Sequence, residues 1–176
     1  LLAAGLMAAL QQQHPGVVFS GVGGPLMRAQ GGEWLYPAAA LSLMGLVEVI
    51  AHLPRLLTIR RALYQHFQQH PPAVFIGVDL PDFNLSLASR LKALNIPTVH
   101  YVSPTVWAWR SSRVKRIAQA VDLMLTLFPF EADFYRQHAV PVRFVGHPLA
   151  DMIDVVSDPV AARRALAIDE TAPVVA

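Results

Sequence analysis

Four short apolar runs, separated by helix-length amphipathic stretches, constrain this chain more than any other feature. They occupy residues 73–78 (AVFIGV), 98–102 (TVHYV), 123–127 (LMLTL) and 142–145 (VRFV). The first is apolar throughout, as in a strand covered on both faces. An earlier run at 17–22 (VVFSGV) predicts another strand, closed by Gly23, Gly24 and Pro25. Helices are predicted over 1–13, 26–30, 53–69, 85–94, 111–120, 131–138 and 158–168. In the third, Leu53, Leu56, Leu57, Leu63, Tyr64 and Phe67 form one stripe and Pro54 fits the first turn. Asn84 or Asp82 can cap the fourth. Strands alternating with helices through connections of a few residues predict an α/β fold: a doubly wound, largely parallel, Rossmann-like sheet.

The chain has 176 residues, enough for one domain with a substantial core. Hydrophobic residues make up 54% and charged residues 15%, and mean hydropathy is +0.40. A soluble domain carries about 25% charged residues. No run approaches the roughly 20 apolar residues of a membrane span; the longest candidate, 35–50, contains Pro37 and Glu48. Excess apolar surface without a span points to a membrane-surface contact or a partner domain. Net charge is +2, but Arg55, Arg60 and Arg61 cluster, as do Arg110, Arg113, Lys115 and Arg116. Such patches suit phosphates or acidic headgroups, although the second set also reads as a solvated helix face. Cysteine is absent, which excludes disulfides and thiolate chemistry.

The polar residues gather where strands end, which is where ligands bind in such sheets. Asp79 closes the run 73–78, where partial burial would raise a carboxylate toward the range of a useful general base; its alternative is a helix cap, as for Asp82. Past the next strand comes SPTVWAWR, with Ser103, Trp107, Trp109 and Arg110. Two tryptophans beside an arginine read as a pocket wall, and Arg suits phosphate. His147, between Gly146 and Pro148 at a strand end, is a ligand candidate, whereas His100 reads as a hydrogen-bonded core histidine. The seven histidines lack paired metal-ligand spacing. Gly21, Gly23 and Gly24 make no dinucleotide fingerprint. Residues 43–57 (LMGLVEVIAHLPRLL) combine an apolar patch with a basic rim, fitting either a core helix or a membrane-interface contact.

Five segments together, IGVDLPDFN, HYVSPTVWAWR, LMGLVEVI, FPFE and FVGHP, resemble the N-terminal half of the lipid-A-disaccharide synthase family, in that family's order. The resemblance implies the first half of a two-domain GT-B glycosyltransferase. Residues 1–155 would be its acceptor-side Rossmann-like domain, truncated at its start, and 156–176 the beginning of the linker and second domain. The family transfers 2,3-diacylglucosamine from its UDP donor to the 6-hydroxyl of 2,3-diacylglucosamine 1-phosphate (lipid X). It releases UDP and inverts the anomeric centre.

The implied roles follow residue by residue. Asp79 is the general base. Met44, Gly45, Glu48, Asn84, Ser103, Trp107, Trp109, Arg110 and His147 border the substrates. Val47, Val49, Ile50, Leu53, Leu56 and Leu57 meet membrane or acyl chains. No cofactor, metal or nucleic acid is implied. The implied partners are the UDP-sugar, lipid X, the membrane surface and the missing C-terminal domain; the implied location is cytoplasmic, peripheral on the inner membrane. Because that domain supplies most UDP-sugar contacts in the family, the 176-residue chain is expected to be inactive alone. The alternatives are another GT-B or nucleotide-sugar enzyme acting on a soluble sugar, and a non-catalytic membrane-surface module.

Overall fold

A computed structural model describes residues 1–41, 46–105, 113–153, 158–169 and 172–174, with the side chains of 46–52 outside the description. The chain forms two compact units, Leu1–Gly146 and His147–Ala176. The first begins with helix α1 (Leu2–Gln13), strand β1 (Ser20–Gly23), the short α2 (Pro25–Arg28), β2 (Glu33–Pro37) and a 3-10 turn at Ala38–Ala40. The long α3 (Leu46–Gln69) leads to β3 (Phe75–Val78), α4 (Pro81–Lys92), β4 (Thr98–Tyr101), α5 (Val114–Ala120), β5 (Leu123–Thr126), α6 (Pro129–Gln137) and β6 (Val142–Phe144). The second unit holds α7 (Leu149–Met152) and α8 (Pro159–Ala165), the latter capped by the Asp158 carboxylate, which accepts from Val160 and Ala161 N–H at 3.0 Å.

Strands β3, β4, β5 and β6 make one sheet in that order, and every pair is parallel. The α/β, Rossmann-like fold expected for the first half of a GT-B enzyme is therefore present: a parallel four-stranded sheet flanked by helices. Sequential parallel strands joined by right-handed crossovers put their connecting helices on one face. Val114, Ile117 and Ala120 of α5 and Tyr135 of α6 accordingly bury against Met124 of β5, with Leu85 of α4 beside them. A second cluster joins Ile59, Leu63 and Phe67 of α3 to Leu87 and Leu91 of α4, with Val22, Leu35 and Tyr36 packed against it. Arg90 lies 3.8 Å above the Tyr64 ring and adds a cation–π contact between α3 and α4.

Several boundaries differ from expectation for physical reasons. Strand β1 starts at Ser20, and Val18 is 82% exposed, so residues 17–19 precede the sheet. Strand β2 was not anticipated: five residues ending in proline carry too little alternation, and only the parallel pairing with β1 reveals them. Helix α3 starts at Leu46, which puts Pro54 in its interior rather than its first turn; packing of the apolar stripe outweighs the lost amide. Helix α4 starts at Pro81, a residue preorganised for a first turn. Asn84 therefore lies inside it, and no side chain caps it. Strand β3 pairs on one side only among the described residues, and its side chains are mostly half-buried rather than sealed on both faces.

The N-terminal end of the sheet is closed by a structural network. Thr98 N–H donates to the Asp122 carboxylate at 2.8 Å, and the Thr98 hydroxyl lies 3.0 Å from both that carboxylate and the Ala120 carbonyl. Lys92 reaches the Val121 carbonyl and Asp122, both at 2.9 Å. Burial acts to raise the Asp122 carboxyl, but hydrogen bonds from Lys92 and Thr98 outweigh it and hold the group below its usual range.

Candidate active site

The opposite, C-terminal end of the sheet is where the polar side chains remain available. Beyond β3 the backbone turns through two consecutive left-handed residues, Asp79 (φ 54) and Leu80 (φ 43), before Pro81 begins α4. Non-glycine residues adopt this region rarely, and a pair of them persists only where neighbours hold them. Asp79 N–H donates to the Tyr101 carbonyl at 2.9 Å. Asn84 Nδ2 donates to the carbonyls of Asp79 (2.7 Å) and Val78 (3.3 Å). Asn84 is thus a clamp on the turn. The Asp79 side chain is exposed, contrary to the partial burial expected of it. Neither Asp79 nor Asp82 caps α4; Asp82 instead pairs with Arg113 ahead of α5.

Gly77 explains how Asn84 comes so close. A Cβ there would lie 2.8 Å from Asn84 Cβ, 3.1 Å from Asn84 Cγ and 3.2 Å from His100 Nδ1. Only glycine leaves room over the strand for both side chains. His100, the register partner of Gly77, is fully buried. Neither of its ring nitrogens has a hydrogen-bond partner among the described residues, nor does the buried hydroxyl of Thr126. The expected core histidine is therefore buried, but its ring makes no well-formed hydrogen bond and interacts only weakly with the Val102 backbone. Burial pulls its pKa down to about 4, against the opposing pull of the Asp79 charge and the Val102 backbone. The ring is neutral near pH 7.

At the end of β4 the strain continues. Val102, a β-branched residue, sits at φ 81 with its N–H donated to the Leu125 carbonyl at 3.1 Å. Ser103 is buried, with its hydroxyl 3.2 Å from Tyr135 Oη and 3.1 Å from the Pro104 carbonyl. It anchors the start of the SPTVWAWR segment to α6. Burial pushes the Tyr135 phenol up to about 12. After β5, the buried Glu131 accepts the Phe128 N–H at 3.1 Å. Phe128 and Phe130 stack at 5.8 Å, and each is about half exposed.

Asp79, Asn84 and Ser103 thus share the strand-end region of the first unit. His147 belongs to the second, where its Nδ1 accepts the Leu149 N–H at 3.1 Å; the neutral ring then carries its proton on Nε2. Met44, Gly45, Trp107, Trp109 and Arg110 lie outside the described residues, as do the side chains of Val47, Glu48, Val49 and Ile50 on α3. Farther along α3, Leu53 (47%) and Leu57 (44%) are exposed beside the exposed Arg55, whereas Leu56 packs against the core. No described helix is long and apolar enough to cross a membrane. Sequence reasoning passed over Gly77 and read His100 only as a core histidine; the available signal was a glycine inside an apolar run.

Comparison with known proteins identifies the family. The profile of the family described as lipid-A-disaccharide synthetase matches residues 1–176. A lipid-A-disaccharide synthase of Alkalilimnicola ehrlichii is 59% identical over 95% of the chain and 44% of its own length. Those of Chromohalobacter salexigens and Pseudomonas putida are 56% and 55% identical over the whole chain and 46% and 47% of theirs. The chain spans about half the length of these relatives.

Proposed function

Because the chain belongs to the lipid-A-disaccharide synthetase family, we propose that it forms the acceptor-side half of an inverting glycosyltransferase that builds the lipid A disaccharide. The reading has 2,3-diacylglucosamine pass from its UDP donor to the 6-hydroxyl of lipid X. The acceptor oxygen attacks the anomeric carbon, the bond from that carbon to the UDP oxygen breaks, and the acceptor proton passes to Asp79. UDP departs with the bonding electrons.

The observation that carries this reading is the held but accessible carboxylate of Asp79. Its backbone is pinned by Asn84 and by the Tyr101 carbonyl, while its side chain is exposed at the strand ends. A general base needs both properties: fixed geometry and room for the substrate. In a full-length synthase carrying this sequence, Asp79→Asn should lower kcat by about 100- to 10,000-fold while lipid binding survives. Near-normal turnover would sink the assignment.

The exposed leucines of α3 favour a lipid substrate over a soluble sugar. Leu53 and Leu57, with Arg55 alongside, form an apolar patch with a basic neighbour, suited to acyl chains or an anionic bilayer surface. In this reading the enzyme works peripherally on the cytoplasmic face of the inner membrane. By their resemblance to the family's motifs, Met44, Gly45, Glu48, Trp107, Trp109, Arg110 and His147 would border the substrates, and Val47, Val49 and Ile50 would meet membrane or acyl chains.

A further inference from the structure

We propose that His100 is a positioning residue for Asp79, its imidazole N–H orienting the carboxylate from beneath the β3–α4 turn. This deepens the reading of Asp79 as base and rests on it. Three independent features point the same way. The first is the under-satisfied ring: a fully buried imidazole with no well-formed hydrogen bond, and only a weak interaction with the Val102 backbone, carries a desolvation cost that a packed apolar side chain would avoid. The second is placement. The β3–β4 register sets His100 opposite Gly77, two residues before Asp79, and the missing Cβ of Gly77 opens a gap shared by His100 Nδ1 and the Asn84 amide. Asn84 in turn holds the Asp79 carbonyl. The third is electrostatic. The Asp79 charge acts on the imidazole and favours its protonation, yet burial keeps the ring neutral near pH 7.

A neutral ring in this place is a donor rather than a proton store. With a pKa of about 4, about one ring in a thousand is protonated at pH 7, so the ring is present as the neutral N–H donor. Catalytic hydrogen bonds are often long before substrate binds and tighten in the reacting complex. The His100–Asp79 bond belongs to that class. It forms in the reacting complex as the Asp79 side chain turns back over the strand end, directly or through one water, while the turn's backbone stays held by Asn84.

The test uses a full-length synthase carrying this sequence, with His100→Leu, His100→Gln, His100→Asn, Asp79→Asn and the His100→Leu/Asp79→Asn double variant. His100→Leu should lower kcat about 10- to 100-fold, the usual scale for a group that orients another, with KM within about twofold. His100→Gln or His100→Asn, which keep an amide donor, should recover most of the loss. In the Asp79→Asn background His100→Leu should cost nothing more, since the two act as a unit. Wild-type kcat in His100→Leu, with Asp79→Asn inactive, overturns the proposal and leaves the base intact. So do equal losses in all three His100 variants that follow a drop in melting temperature, or losses that add to that of Asp79→Asn. Wild-type turnover in Asp79→Asn overturns the base reading itself. If His100→Leu fails to fold, a cycle of His100→Met, which also lacks a donor, with Asp79→Asn decides the same question.

Discussion

Single residues at the strand ends carry the backbone strain, and the proposed chemistry rests on one of them. Asp79, Leu80 and Val102 all have positive φ at the C-terminal ends of two neighbouring strands. His100 adds a second kind of stored cost, with a sign that can be worked out. Its folded pKa of about 4 lies below the unfolded value of 6.5. Below pH 6.5 the unfolded chain takes up a proton that the folded chain refuses, so stability is full above that pH and falls as pH drops toward 4. The gap corresponds to about 3 kcal/mol. The charged group acting on His100 is Asp79, which works in the opposite direction to burial. Thermal melts of wild type and His100→Gln at pH 7 and pH 4.5 should therefore diverge in slope, with wild type losing more on acidification. Parallel losses would show that His100 is not the group responsible.

At the scale of elements, prolines and glycines separate what could be read from what could not. Pro129 and Pro159 open α6 and α8 where local chemistry places a helix start. Pro54 shows the limit: local rules put it in a first turn, but α3 runs through it because Ile59, Leu63 and Phe67 bury one face against α4 and β3. The same helix divides its leucines. Leu56 faces the core, while Leu53 and Leu57, one turn apart, face out. Replacing the outward pair should weaken membrane contact without unfolding the protein. In flotation with anionic phosphatidylglycerol vesicles, Leu53→Ser/Leu57→Ser full-length enzyme should lose about tenfold or more in bound fraction, on the scale of two leucines leaving an apolar phase. Unchanged flotation would return these leucines to the ordinary exposed surface of a soluble protein.

For the whole molecule, the two ends of the sheet play different parts. One end is tied shut by Thr98, Asp122 and Lys92. The other holds Asp79, Asn84 and Ser103, with His100 and Gly77 packed beneath the turn. The chain spans about half the length of its relatives, and the proposed reaction needs a UDP-sugar site that this reading places on the remaining half. The purified 176-residue chain, given both substrates, should therefore release no UDP above blank. Release above blank would show that this half suffices.

The parallel α/β class, the order of most strands and helices and the gathering of polar residues at the strand ends were legible in the chain itself, because hydrophobic period and strand-end polarity are local properties of neighbouring residues. Strand β2, the course of α3 through Pro54, the inward turn of Leu56 and the exposure of Asp79 were not. Nor was the placement of His100 opposite Gly77. Each of these depends on which distant residue packs against which, and only the folded chain brings Gly77 beside His100, or Asn84 back onto the turn it clamps.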